Sequence, residues 1–175
     1  MNPRTIINFV AFQAAWFGCV FATAAGRPIL GACAPLAATV VHLAISRDRI
    51  RTELRTLGAA ALLGLFLDGG AVALGLLRLP GEAATASTLF WFVALWIGFG
   101  TTLSSSLSWL SRSTSLACVF GAVAGPLSYY AGVRLGALVA AESWTAWAWV
   151  CVEWAVATPL LLRLANPAVQ AKGAR

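Results

Sequence analysis

Residues Leu57 to Leu77 read LGAAALLGLFLDGGAVALGLL, an apolar run of 21 residues interrupted by a single charged side chain, Asp68. A helix needs roughly 20 apolar residues to cross about 30 Å of hydrocarbon, so this run reads as a transmembrane helix. A carboxylate near its middle costs at least about 2.5 kcal/mol on insertion scales and must have company. Ala60, Gly64, Asp68, Ala71 and Gly75 recur at spacings of 4, 4, 3 and 4. Asp68 therefore lies on a stripe of small residues where a second helix can pack closely, and the spacing predicts that it faces the bundle interior.

Five further apolar blocks flank this one, at about Ile6–Ala24, Ile29–Ile45, Thr88–Leu107, Thr114–Leu135 and Trp144–Leu162. The whole chain agrees with them: 60% of its 175 residues are hydrophobic and only 10% are charged, whereas a globular domain carries roughly 25% charged residues. A water-soluble fold is excluded. The expectation is an all-α polytopic membrane bundle of about six transmembrane helices, forming a single integral membrane domain over residues 1–175. Gly26, Arg27 and Pro28 mark a tight reversal between the first two helices. Ala22, Thr23 and Ala24 resemble a signal-peptidase site, but Asn8 and Gln13 interrupt the apolar region and another block follows at once, so the first helix is expected to stay.

The formal charge of +6 comes from basic residues spread between apolar blocks, which is a topogenic pattern and not a nucleic-acid-binding face. With the amino terminus inside, Arg4, Arg47, Arg49, Arg51, Arg55, Arg112, Arg163, Lys172 and Arg175 fall on the inner side, against Arg27, Arg78 and Arg134 outside. That nine-to-three split predicts six spans with both termini cytoplasmic, in a bacterial inner membrane. Between Ser46 and Thr56, Ile50, Leu54 and Leu57 recur at helical spacing among Arg47, Arg49, Arg51 and Arg55. This predicts a short interfacial amphipathic helix that contacts lipid head groups or a partner, at about 1 kcal/mol per basic residue.

Shifting the stripe by 61 residues takes Ala60, Gly64, Asp68, Ala71 and Gly75 to Gly121, Gly125, Tyr129, Gly132 and Gly136. Asp68 and Tyr129 then share a depth, a geometry that allows a carboxylate–phenol hydrogen bond. Glu153 is a second intramembrane acid, and His42 lies near the inner end of the second helix. Asp68, Tyr129, His42 and Glu153 form the candidate buried polar site, for proton sharing, cation binding or helix contact. No spacing of His, Cys and acids suggests a metal, and no cofactor is expected. Cys19, Cys33, Cys118 and Cys151 read as small apolar residues. The hydroxyls from Thr101 to Ser113 read as caps on carbonyls one turn back, without the elbow or base of a serine hydrolase. Trp91, Trp109 and Trp144 lie near block ends, as an aromatic belt requires, while Trp16, Trp96, Trp147, Trp149 and Trp154 lie deeper.

Asn8, Gln13, Trp16 and Phe17, then His42, Leu43, Ser46 and Arg49, then Gly64 with Asp68 resemble small bacterial inner-membrane proteins classed as a domain of unknown function. The likeness continues in Ala94, Leu95, Trp96, Phe99, Thr101, Thr102, Ser106 and Trp109, and in Gly121, Gly125, Pro126, Ser128, Tyr129, Gly132, Leu135 and Gly136. The resemblance implies a polytopic protein often encoded near methyltransferases similar to cyclopropane-fatty-acid synthases, and hence membrane lipids and a lipid-modifying enzyme as partners. It carries over no catalytic residues. Three readings follow: an accessory or binding component in fatty-acid or lipid modification, the substrate-binding component of a small-molecule importer, or a membrane-embedded enzyme using Asp68.

Overall fold

The computed structural model describes residues 3–81 and 86–167, with the backbone alone for Arg4; Lys172 and Arg175 lie outside the described residues. Six helices long and apolar enough to span a membrane occur among them: α1 Pro3–Ala24, α2 Pro28–Ile45, α3 Ile50–Ala73, α4 Ala86–Leu103, α5 Thr114–Arg134 and α6 Trp144–Ala165. They form three antiparallel hairpins, α1 with α2, α3 with α4 and α5 with α6. The hairpins assemble through α2 and α1 against α4 and through α3 against α6.

The α2–α3 and α4–α5 connections share one end of the bundle with the start of α1 and the close of α6. Asn8 donates to the Thr101 carbonyl (3.1 Å), and Asn166 donates to that of Leu103 (2.9 Å). This is the basic end, where Arg47, Arg49, Arg51 and Arg55 are exposed. At the opposite end α1, α3 and α5 all stop in the same way. Gly26, Gly75 and Gly136 adopt φ of 77°, 71° and 80°, which a Cβ disfavours. The amides of Arg27, Leu76 and Ala137 then fold back to the carbonyls of Ala22, Ala71 and Gly132.

Three boundaries differ from the sequence reading. The basic segment is not a separate interfacial helix: after a 3-10 turn at Arg47–Arg49, α3 begins at Ile50 and runs unbroken into the membrane span. Helix α3 also ends at Ala73, not Leu77, so Asp68 lies five residues from the helix end, about 8 Å. Helix α4 stops at Leu103, and the hydroxyl-rich segment after it turns and forms a 3-10 stretch at Ser108–Arg112. Beyond α3 and α5 the chain forms two short strands, β1 Leu77–Arg78 and β2 Val139–Ala140. They pair antiparallel, Leu77 with Ala140 and Arg78 with Val139, and clasp the second and third hairpins together.

Both stripes of small residues are interior. Ala60, Gly64, Asp68 and Ala71 are buried on α3, as are Gly121, Gly125, Tyr129 and Gly132 on α5. Each stripe receives a tryptophan from the other helix of its own hairpin. A Cβ at Gly64 would strike the Trp96 ring of α4, and one at Gly125 the Trp154 ring of α6. The two indoles stack on each other across the middle of the bundle, centroids 4.6 Å apart and planes 19° apart. Trp91, assigned by position to an interfacial belt, is instead 3% exposed and packs edge-on against Phe92. Trp109 and Trp144 are exposed.

Candidate functional site

The structure divides the candidate polar residues into two clusters. The first gathers four helices. The Tyr129 hydroxyl of α5 donates to the Asp68 carboxylate of α3, 2.8 Å from Oδ1 and 2.7 Å from Oδ2. Trp96 Nε1 of α4 donates to Asp68 Oδ2 at 2.5 Å. Asp68 is wholly buried, and its two donors meet the requirement that a charge-bearing group inside the membrane be hydrogen-bonded. Glu153 of α6 approaches this group, flanked by Tyr129, Trp149 and Trp154, but neither of its oxygens has a hydrogen-bond partner among the described residues. Trp149 Nε1 is committed elsewhere, to the Leu67 carbonyl at 3.1 Å.

His42 does not belong to this set. It lies at the basic end, where its Nε2 is 3.1 Å from Glu53 Oε2. Glu53, 1% exposed, also accepts from the Ser104 hydroxyl (2.7 Å) and lies 3.8 Å from the Arg49 guanidinium. Asn8 joins this cluster through its Nδ2, 3.5 Å from His42 Nδ1, while its Oδ1 accepts from the Ser106 hydroxyl at 2.8 Å. Fifteen residues of α3 separate Glu53 from Asp68, about 22 Å along the helix, so the clusters are independent. Glu53 was not among the candidate site residues read from the sequence. Extending the small-residue stripe back one heptad from Ala60 reaches Glu53, which is the signal that marks it as buried.

Beside the first cluster, a cavity of about 400 Å³ lies between α1, α4 and α5. Its walls are mainly apolar and aromatic, with Phe12 and Trp16 from α1, Phe92 and Phe99 from α4, and Tyr129 and Trp154 on the inner side. Phe9, Phe17 and Leu127, all partly exposed, form a rim, so the mouth opens sideways, toward lipid in a membrane. Along α5 the lining runs from Phe120 to Gly132, about 18 Å of helix. Asp68 stands behind this wall and reaches the cavity only through Tyr129 and Trp96.

Six spanning helices, two buried polar clusters and a lateral aromatic cavity define a multi-pass helical membrane protein with an internal apolar compartment. Residues 5–160 match the family described as protein of unknown function (DUF2878), and the chain belongs to that family. No curated protein and no solved structure matches it. Among the described residues no group of three or more His, Cys, Asp or Glu side chains is placed to hold a metal ion.

Proposed function

We propose that this protein is a lipid-binding component of the inner membrane that holds one acyl chain in the cavity between α1, α4 and α5, and that it serves an enzyme modifying membrane fatty acids or lipids. The observation that carries this reading is the cavity itself. Its volume falls in the range of roughly 300–1,000 Å³ typical of ligand pockets, and its length of about 18 Å is close to one leaflet's share, about 15 Å, of the hydrocarbon layer. Of the polar residues in its lining, Thr102 and Ser106 lie toward the basic end, with Gln13 and Ser128 farther along it, and at that end the exposed arginines offer charge to a lipid head group. The Asp68 cluster has a positioning role here: it holds the rings of Tyr129 and Trp96, which form part of the wall.

The test is the lipid content of the purified protein. Wild type should retain a lipid or fatty acid in fixed ratio to protein through exhaustive detergent washing. Ala124→Phe, which fills the cavity from α5, should lose it while melting at an unchanged temperature. Equal retention by both proteins, or none by wild type, contradicts the proposal.

A further inference from the structure

On α1 the aromatic cavity is lined by Phe9, Phe12, Gln13, Trp16, Phe17 and Val20. Their successive spacings of 3, 1, 3, 1 and 3 put them on one face of the helix, and all but Gln13 are hydrocarbon or indole. Gln13 stands within this stripe, about 6 Å along the axis from Phe9 and about 10 Å from Val20, so it meets the side of the compartment and neither of its ends. The hydroxyls of the lining are all engaged inside the protein. That of Thr102 donates to the Phe99 carbonyl (2.7 Å), that of Ser106 to Asn8 Oδ1 (2.8 Å), that of Ser128 to the Ala124 carbonyl (2.9 Å) and that of Tyr129 to Asp68. Gln13 has no hydrogen-bond partner among the described residues. It is half-buried, and its amide atoms, unlike the ring nitrogens of Trp91 and Trp154, are not sealed off by packing. An amide left unpaired at this depth is costly, because the membrane core holds no water to satisfy it.

We propose that Gln13 selects the occupant of the cavity: an acyl chain bearing a hydroxyl partway along its length, which donates to the Gln13 amide oxygen and accepts from the amide nitrogen. This rests on the acyl-chain reading above and adds the functional group that the chain carries. An amide presents an acceptor and two donors side by side. A hydroxyl, which both donates and accepts, answers both, whereas a plain saturated chain leaves both unpaired. A carboxylate or phosphate head group does not meet the same need. It only accepts, and Gln13 is the eleventh of the 22 residues of α1, at the centre of the span and away from the exposed arginines that suit such a charge. The head group stays at the basic end, and Gln13 reads the chain.

The experiment competes two ligands against a diazirine-labelled fatty acid bound to the full-length protein in nanodiscs: octadecanoic acid, and the same acid carrying one mid-chain hydroxyl. Each potency is read on wild type and on Gln13→Leu, so the unequal partition of the two acids into lipid cancels. Relative to Gln13→Leu, wild type should favour the hydroxy acid over the plain acid by about tenfold, the effect of a hydrogen bond made in an apolar site. Gln13→Leu should still bind the plain acid and melt no lower than wild type, since it removes an unpaired amide. Gln13→Met, close in length and equally unable to pair with a hydroxyl, repeats the test if the Leu variant fails to fold. Ala124→Phe should bind neither acid. The same relative potency on wild type and on the Gln13 variants would overturn the selectivity and leave the acyl-chain reading standing, while displacement by neither acid on wild type would overturn both. Lower melting temperatures for both Gln13 variants would give the amide a partner within the protein, which also overturns the proposal.

Discussion

Asp68 and Glu53 solve the same problem at opposite ends of one helix. Each carboxylate is removed from solvent, and each is surrounded by donors from other helices: Trp96 and Tyr129 for the first, Ser104 and His42 for the second. Deleting a carboxylate strands its donors, which costs more than weakening one bond. Asp68→Leu should therefore destabilise the protein more than Tyr129→Phe, which removes one donor at about 1–3 kcal/mol, while Asp68→Asn, similar in shape and still an acceptor, should have the smallest effect. Thermal melting in detergent gives the order directly, and an Asp68→Leu variant as stable as wild type would contradict it. The contact between Asp68 and Tyr129 was legible in the sequence, because helical spacing and depth locate two polar residues on facing stripes. His42 was misplaced because composition shows that a polar residue needs a partner but not which one. Trp96 was placed only by its depth, since nothing in an indole's sequence context reveals where its N–H points.

Helix number and fold class followed from block length alone, because a chain with so few charged residues must satisfy its backbone inside helices. Element ends were less legible. The first turns of α3 carry arginines on one face and Glu53 and Thr56 on the other, so a charge-rich segment is helical and half-buried where polarity suggested a separate surface helix. The strands β1 and β2 have two residues each and no alternation to read; they exist because two glycine-terminated helices deliver their chains side by side. The stripes predict a measurable asymmetry. Gly125→Ala and Gly64→Ala drive a methyl group into an indole ring, and overpacking of this kind costs about 1–3 kcal/mol. Leu76 is partly buried against the core, so the proper control is Phe66→Ala at a side chain 72% exposed. Both glycine variants should melt below Phe66→Ala, and equal melting temperatures would remove the close-contact account.

Across the whole molecule, the second and third hairpins are built alike, each pairing a small-residue stripe with a tryptophan, and they meet at the stacked indoles and at the strand clasp. The first hairpin packs on α4, and α1 closes one side of the aromatic cavity between α4 and α5, so the compartment exists where the likeness between the two hairpins ends. The distribution of arginines predicts the orientation of the assembly: alkaline phosphatase fused after Arg112 should be inactive and after Arg78 active, and the reverse pattern would place the basic end outside. The claim on which the account rests is that the cavity holds an acyl chain, and photo-crosslinking tests it most directly. A fatty acid carrying a diazirine on its chain, activated in membranes containing the protein and followed by peptide mass spectrometry, should label cavity residues such as Phe12, Phe99 and Phe120. Unlabelled fatty acid should compete the labelling away, and Ala124→Phe should abolish it. Adducts confined to outward-facing positions such as Leu62 and Phe66, unaffected by competitor or by that substitution, would contradict it.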